Sequence, residues 1–212
     1  MKSSRAVELI IFDMDGTLID SSVTIVNAIN HVRHNLGLDP MDFTFVMEKI
    51  NDHHINPAQL FYETDHFEGD HERWFSEYYT KNHEMELLLY DGIYDLLIAL
   101  RERGILLSVA TNAYRGSAIE SLTHLGIYDL FDTIACYDDV SRGKPYPDML
   151  FKILRTLNIH PDKTLFIGDG SRDEIASRRA DIDYLMIDWG FSNHQDAIHS
   201  VSNLERIIFE KL

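Results

Sequence analysis

The sequence of 212 residues contains little cysteine, little positive charge and no long apolar run. Its one cysteine, Cys136, can form no disulfide within the chain and has no second thiol with which to share a zinc ion. A disulfide scaffold is therefore excluded, and a reducing compartment is expected. No apolar run reaches the roughly 18–20 residues that a membrane span needs, and the stretch after residues 1–5 is too short for a signal peptide. We therefore expect a cytoplasmic protein.

Acidic side chains outnumber basic ones by 35 to 19, which gives a formal net charge of −16. Such a charge repels nucleic acid and anionic membrane surfaces at long range, so neither is expected as a partner. The hydrophobic fraction of 45% is enough for a sizeable core, which excludes a disordered chain. Composition thus favours a globular protein. Small anions are still possible partners, because local positive groups can attract them.

Five short apolar runs predict buried strands. They lie at residues 7–12, 105–110, 133–136, 164–167 and 184–187. Helical patterns are found at residues 94–103, 115–125, 146–157, 172–180 and 203–212. The alternation predicts an α/β fold with a doubly wound, Rossmann-like parallel sheet. In such sheets the functional site lies at the carboxyl ends of the strands.

One connection is much longer than the fold requires. Thr17 and Thr111, which follow the first two predicted strands, are 94 residues apart, whereas a βαβ unit needs about 30. The intervening residues show helical periodicity, with predicted helices at 23–36, 41–50, 57–62 and 71–85. We therefore expect a core of residues 1–19 and 91–212 and an inserted, all-helical cap of residues 20–90.

Two pairs of acidic residues come directly after predicted strands. Asp13 and Asp15 follow the first strand, two residues apart, so both side chains can face one side of a site. Asp169 follows the fourth strand, and Asp173 lies about one helical turn further on. Buried carboxylates need a compensating cation, and Mg²⁺ prefers such hard oxygen ligands. Each pair also fits an ordinary acidic turn or a helix cap, so neither is decisive alone.

Three further residues are candidates for holding a phosphate. Thr111 and Asn112 follow the second predicted strand and offer a hydroxyl, an amide and main-chain N–H groups. Lys144 precedes Pro145 in a stiff loop just ahead of a helix, where its ammonium could neutralise both a phosphate and an attacking carboxylate. Taken alone, each of these motifs is more often an ordinary turn.

Along the chain the motifs occur in the order acid pair, Thr-Asn, Lys-Pro and Gly-Asp with a second aspartate. Taken together in that order, they resemble the motifs of the haloacid dehalogenase superfamily, and more closely those of its phosphoglycolate-phosphatase-like branch with a small helical cap. The resemblance covers the chain from about Ile10 to Gly190. It is most specific in DMDGTL at residues 13–18, in KPYPD at 144–148, and in Gly168-Asp169 with Asp173. The predicted cap shows no specific match. The resemblance implies an Mg²⁺-dependent phosphatase that hydrolyses a small phosphorylated metabolite.

The resemblance also implies a role for each matching residue. Asp13 would be the nucleophile that forms an aspartyl-phosphate, and Asp15 would protonate the leaving oxygen and then activate water. The implied metal ligands are Asp13, the main-chain carbonyl of Asp15, Asp169 and Asp173. The implied contacts to the phosphoryl oxygens come from Thr111, Asn112 and Lys144.

Two positions depart from the family pattern. Ala113 stands where relatives commonly carry lysine after Thr-Asn, so contacts to the substrate are expected to differ there. Asp181 stands where a glycine often closes the helix after the last motif. Because aspartate can also occupy a tight turn, only the helix end is expected to change there.

Several other functions stay open at the level of sequence. A dehalogenase is disfavoured because Asp15 is the residue that the phosphotransferase branch needs. A phosphosugar mutase of the β-phosphoglucomutase type would use the same residues, although Thr111-Asn112 favours a phosphatase. A catalytically silent phosphate-binding protein and a zinc site in the cap, at His31 with His34 or at His53 with His54, are further alternatives. A monomer or weak homodimer is expected.

Overall fold

A computed structural model of the chain describes residues 6–50, 55–190 and 196–212, and these contain seven strands. The strands are β1 (Leu9–Phe12), β2 (Ile19–Asp20), β3 (Leu88–Leu89), β4 (Leu106–Ala110), β5 (Thr133–Ala135), β6 (Thr164–Gly168) and β7 (Asp183–Met186). Five of them form a parallel sheet in the order β5-β4-β1-β6-β7, and β2 and β3 form a separate sheet. The predicted five-stranded parallel sheet is confirmed. The strands β2 and β3 were not predicted, because two residues are too few for an alternating pattern.

Every predicted helix is present in the described residues. They are α1 (Ser22–Asn35), α2 (Phe43–Ile50), α3 (Pro57–Tyr62), α4 (Gly69–Glu86), α5 (Ile93–Glu102), α6 (Arg115–His124), α7 (Asp148–Leu157), α8 (Ser171–Ala180) and α9 (Val201–Phe209). Three short 3₁₀ helices complete the described elements. None of the helices in this part of the chain has the length and apolar character needed to cross a membrane.

The chain divides into two compact units. One consists of Met1–Ile19 with Leu89–Leu212, and the other of Asp20–Leu88. The first unit contains the five-stranded sheet with α5 to α9, and the second contains α1 to α4. The fold is thus a doubly wound α/β core with a helical insertion after the first strand.

The central strand β1 is buried on both faces. Leu9 and Ile11 pack against Met149 and Ile153 of α7 and Ala176 of α8. Successive side chains of a strand point to opposite faces, so Ile10 and Phe12 lie on the other side of the sheet. They too have no exposed surface. Both faces of the sheet are therefore covered, as a parallel sheet requires.

The helix α8 ends at the aspartate that departs from the family pattern. Asp181 has a φ of 56°, in the left-handed region that glycine usually occupies at this position. Its main-chain N–H donates to the carbonyl of Arg178 at 3.4 Å. Aspartate thus takes the place of glycine at this helix end, and the adjoining β7 begins normally at Asp183.

The second unit has its own small core. The sequence pattern predicts that Val23, Val26, Ile29, Val32 and Leu36 line one face of the first helix. Val26, Ile29 and Val32 of α1 do pack with Phe61 and Tyr62, and Leu36 packs against them, whereas Val23 is 45% exposed. Asn56 caps α3, because its side-chain oxygen accepts hydrogen bonds from the first turn of the helix. The insertion is therefore a folded helical unit.

Candidate active site

The predicted site residues follow neighbouring strands of the sheet. Asp13 comes directly after β1, Thr111 directly after β4, and Asp169 directly after β6. Because β1 lies between β4 and β6, and all three strands are parallel, these residues share one edge of the sheet. The main chain of Asp13 is also fixed to the next strand, since its N–H donates to the carbonyl of Ile167 at 2.8 Å.

Lys144 is bound to two of the predicted acids. Its Nζ lies 2.5 Å from Oδ1 of Asp13 and 2.7 Å from Oδ1 of Asp173. The lysine and Asp173 side chains are each 4% exposed, and the Asp13 side chain is 10% exposed. Charged groups are buried in this way only when they are paired. The structure therefore brings together three residues that are far apart in sequence.

A third acid completes a carboxylate cluster. One carboxylate oxygen each of Asp13, Asp169 and Asp173 can be chosen so that all three lie within 4.8 Å of one another. Lys144 supplies one positive charge against these three carboxylates, which leaves an excess of negative charge in a buried place. Hard oxygen ligands and uncompensated negative charge are what a bound Mg²⁺ ion requires, so the residues fit this metal. Asp15 lies on the turn beside the cluster and is half-buried.

Burial and mutual repulsion shift the pKa values of this cluster. Burial raises the pKa of Asp13 despite the opposing effect of Lys144, and it raises that of Asp169 further, with Asp13 and Asp173 adding to the shift. The pKa of Asp173 rises to about 6 for the same reasons. Burial alone would lower the pKa of Lys144, but the charges of Asp13 and Asp173 raise it, so the ammonium stays protonated.

Asp173 caps a helix and also contacts Lys144. Its Oδ2 accepts a hydrogen bond from the N–H of Gly170 at 3.4 Å, which caps the N-terminus of α8. Its Oδ1 faces Lys144. The helix cap is thus observed, and it leaves Oδ1 of the same carboxylate facing Lys144, while binding of a metal by Asp173 stays a prediction.

Two glycines allow the acids to approach the main chain. A Cβ atom on Gly16, whose φ is +79°, would lie 2.2 Å from Oδ2 of Asp169. A Cβ atom on Gly168 would lie 2.6 Å from Oδ2 of Asp173. Neither position can take a side chain without moving a member of the cluster. The sequence contains both glycines within the motifs but gives no sign of these close approaches.

Asn112 has a role that the sequence analysis missed. Its Oδ1 accepts a hydrogen bond from the main-chain N–H of Lys144 at 2.9 Å, and its Nδ2 donates to the carbonyl of Lys144 at 3.1 Å. The amide was predicted to bind phosphate, yet it holds the main chain of the lysine from both sides. The two residues are separated by 32 positions, so no local pattern could have indicated this pairing.

Thr111 and the lysine loop are also fixed in place. The hydroxyl of Thr111 accepts a hydrogen bond from the N–H of Ala113 at 3.0 Å, and the residue is 1% exposed. Beyond Lys144, Nη1 of Arg179 donates to the carbonyl of Pro145 at 2.8 Å. The loop that carries the ammonium is thus held at two successive residues.

Histidines do not take part in this cluster. In the described ranges, the three aspartates form the one group of three or more acids, histidines or cysteines with metal-binding spacing. The ring of His31 lies against Tyr78, with 5.5 Å between the ring centroids. His53 and His54, the other histidines considered for zinc, lie outside the described residues.

Fold and site together define an α/β enzyme with a buried centre of carboxylates and one lysine. The family model described as haloacid dehalogenase-like hydrolase matches residues 10–187 of the chain. The chain therefore belongs to the haloacid dehalogenase-like hydrolase family, and it is a phosphatase of the phosphoglycolate-phosphatase-like branch.

Individual relatives match over most of their length. A pyrophosphatase, PpaX, from Oceanobacillus iheyensis is 28% identical over 92% of this chain and 90% of its own. A phosphoglycolate phosphatase from Yersinia pseudotuberculosis is 30% identical over 93% of this chain and 88% of its own. The solved structure of a haloacid dehalogenase-like hydrolase from Streptococcus pneumoniae has a TM-score of 0.76 and 27% identity, and covers 90% of this chain and 89% of its own.

Proposed function

We propose that this chain is an Mg²⁺-dependent phosphomonoesterase that acts on a small phosphorylated metabolite through an aspartyl-phosphate at Asp13. The observation that carries this proposal is the contact of Lys144 with both Asp13 and Asp173 inside a buried cluster of three carboxylates. The ammonium of Lys144, 2.5 Å from Oδ1 of Asp13, favours the ionised form of this carboxylate against the effect of burial and fixes its orientation. These are the properties that a carboxylate nucleophile needs.

The metal would be held by the carboxylates of Asp13, Asp169 and Asp173 and the main-chain carbonyl of Asp15. When bound, Mg²⁺ offsets the repulsion between an anionic nucleophile and an anionic phosphate. The excess of negative charge in the cluster supports this assignment. Lys144 offsets part of the same repulsion from the protein side.

The reaction consists of two displacements at phosphorus. In the first, an oxygen of Asp13 bonds to phosphorus and the bond to the substrate oxygen breaks, while Asp15 gives that oxygen a proton. In the second, Asp15 takes a proton from water, the water oxygen bonds to phosphorus, and the bond to Asp13 breaks. Inorganic phosphate and free Asp13 result, so Asp15 acts first as an acid and then as a base.

Three residues would hold the phosphoryl oxygens during both steps. Lys144 contributes its ammonium and Thr111 its buried hydroxyl. Because the side chain of Asn112 already binds the main chain of Lys144, its contact to phosphate would come from its own main-chain N–H or from the second hydrogen on Nδ2. All three belong to segments that hydrogen bonds fix in place before substrate binds.

The charge of the insertion favours a substrate with few phosphates. Between residues 39 and 91 the sequence has thirteen acidic side chains and three basic ones, Lys49, Arg73 and Lys81. An acidic unit of this kind disfavours a highly phosphorylated ligand. The relatives named for phosphoglycolate and for pyrophosphate also act on small compounds, which supports a small substrate here.

Phosphate release from a panel of small phosphate esters tests the proposal. The panel includes phosphoglycolate, a sugar phosphate and a nucleoside monophosphate, each with Mg²⁺ or with EDTA. The unchanged chain runs beside Asp13→Asn and beside Asp95→Asn, which alters an exposed acid of α5 as a control. We expect metal-dependent release that Asp13→Asn abolishes and Asp95→Asn retains.

Other outcomes would contradict the proposal. Release by Asp13→Asn at the normal rate, in a preparation free of deamidation, would exclude Asp13 as the nucleophile. Interconversion of sugar phosphates from a bisphosphate without net release would indicate a mutase. Tight binding of a phosphate ester without any turnover would indicate a catalytically silent binding protein.

A further inference from the structure

Trp189 connects the loop after β7 to the turn that carries Asp15. Its indole Nε1 donates a hydrogen bond to the carbonyl of Thr17 at 3.0 Å, across 172 positions of sequence. Its ring lies against Tyr90, with 5.7 Å between the ring centroids and 49° between the ring planes. All of these residues belong to the first unit. The indole thus touches two segments that are distant in sequence from it and from each other.

The turn around Asp15 is closed mainly by its own main chain. The carbonyl of Met14 accepts hydrogen bonds from Leu18 at 2.9 Å and from Ile19 at 3.0 Å. The N–H of Gly16 donates to the carbonyl of Ile19 at 2.9 Å. These bonds set the shape of the turn, but they all lie within it. They do not by themselves fix the turn against the rest of the unit.

Trp189 supplies such an external attachment. Thr17 is 1% exposed, and a buried carbonyl needs a hydrogen-bond donor. The donor is the indole N–H of Trp189. Tyr90, on which the indole ring packs, is itself joined to the turn, because its N–H donates to the carbonyl of Leu18 at 3.2 Å. The turn, Tyr90 and Trp189 therefore form one connected group.

We infer that Trp189 is a positioning residue for Asp15. The inference rests on the proposed function, in which Asp15 must give a proton to the leaving oxygen and later take one from water. Loss of the indole N–H removes the attachment at Thr17, only two residues from Asp15, and lets the turn shift. A shift of about 1 Å at a reacting group can slow a step about 100-fold. Steps that need Asp15 should slow, whereas attack by Asp13 on an ester that needs no acid should not.

Trp189→Phe tests this inference, because phenylalanine keeps a ring beside Tyr90 but has no N–H. The matched control is Trp74→Phe, which makes the same change at the other tryptophan of the chain, in the helical unit. The first substrate is p-nitrophenyl phosphate, whose leaving group is stable as an anion. The second is an alkyl phosphate, whose leaving oxygen needs a proton. Product formation is followed from the first turnover onward with Mg²⁺ present.

With p-nitrophenyl phosphate we expect Trp189→Phe to release about one nitrophenolate per site rapidly and then to turn over about 10- to 100-fold more slowly than the unchanged chain. With the alkyl phosphate, the first turnover should also be slow. Trp74→Phe should match the unchanged chain with both substrates. This difference between substrates would not follow from a general loss of folded protein.

Two results would overturn the inference while leaving the proposed function intact. One is a Trp189→Phe variant with unchanged kinetics, and the other is an equal slowing of all steps with both substrates. If Trp189→Phe fails to fold, a benzothienylalanine residue at position 189 replaces the N–H by sulfur at nearly constant shape, and the same expectations apply. If the unchanged chain hydrolyses neither ester nor any compound of the panel, the proposed function fails and the inference fails with it.

Discussion

Replacing Gly16 by alanine tests how closely the Asp15 turn packs against the carboxylate cluster. Gly16 has a φ of +79°, and a Cβ atom there would lie 2.2 Å from Oδ2 of Asp169. Since non-bonded atoms prefer about 3.5 Å, the turn or the Asp169 side chain must move by about 1 Å or more. A displacement of that size at an active site lowers the rate about 100-fold. It should also weaken metal binding, because Asp169 is a proposed ligand.

Gly104→Ala is a matched control for this substitution. Gly104 has a φ of +76°, so it carries nearly the same backbone strain, but no atom lies within 4 Å of the position that its Cβ would take. A left-handed conformation costs an alanine about 1–2 kcal/mol. We therefore expect both variants to lose at least that much free energy of unfolding, as measured by urea denaturation. Only Gly16→Ala should lose activity as well.

The assay is phosphate release as a function of Mg²⁺ concentration. For Gly16→Ala we expect kcat to fall about 100-fold and the Mg²⁺ concentration for half-maximal rate to rise. For Gly104→Ala both should stay close to those of the unchanged chain. If the two variants had the same kcat and the same Mg²⁺ dependence, contact between the turn and Asp169 would have no bearing on the reaction, and the reasoning would be refuted.

Three further predictions concern the surroundings of the cluster. Asn112→Ala removes both hydrogen bonds to the main chain of Lys144, so kcat/KM for a phosphate ester should fall about 10- to 100-fold. An unchanged value would show that these two hydrogen bonds are dispensable. Lys144→Met leaves the buried carboxylates of Asp13 and Asp173 without their cation, so urea denaturation in EDTA should show a loss of about 3–5 kcal/mol. Added Mg²⁺ should recover part of that loss, and no loss at all would contradict the ion pairing. The hydrogen bond from Arg115 lowers the pKa of Asp139 to about 2, so Asp139→Asn should cost about 1–2 kcal/mol above pH 4. This difference should shrink as the pH falls from about 4 towards 2, and a difference that is independent of pH would count against it.

The fold could be predicted because its strands and helices carry strong local patterns. Residues 7–12 form a mainly apolar segment before an acidic turn, and its uninterrupted apolar part, Leu9–Phe12, is the buried strand β1. The helical periodicity of residues 23–36 likewise predicted α1, and only Val23 of its predicted apolar face is exposed. The strands β2 and β3 escaped prediction because they have two residues each, and their pairing depends on segments that are far apart in sequence.

The sequence indicated which residues are candidates for the site, but not their contacts. Asp13, Thr111 and Asp169 were found because each follows a predicted strand, and parallel strands end at one edge of the sheet. The hydrogen bonds between Asn112 and the main chain of Lys144 join residues 32 positions apart, and the hydrogen bond from Trp189 to Thr17 joins residues 172 positions apart. Such contacts depend on how the loops fold over the sheet edge, which no periodic pattern encodes.

The central claim is that Asp13 becomes phosphorylated during Mg²⁺-dependent hydrolysis. The most direct test is to mix Asp15→Asn with p-nitrophenyl phosphate and Mg²⁺, quench with acid within the first turnover, and map the phosphoryl group by mass spectrometry of peptides. The account predicts one phosphoryl group on Asp13, which is absent in EDTA and absent when Asp13→Asn is added to the same chain. A phosphoryl group on another residue, or none at all while the unchanged chain hydrolyses the ester, would contradict it.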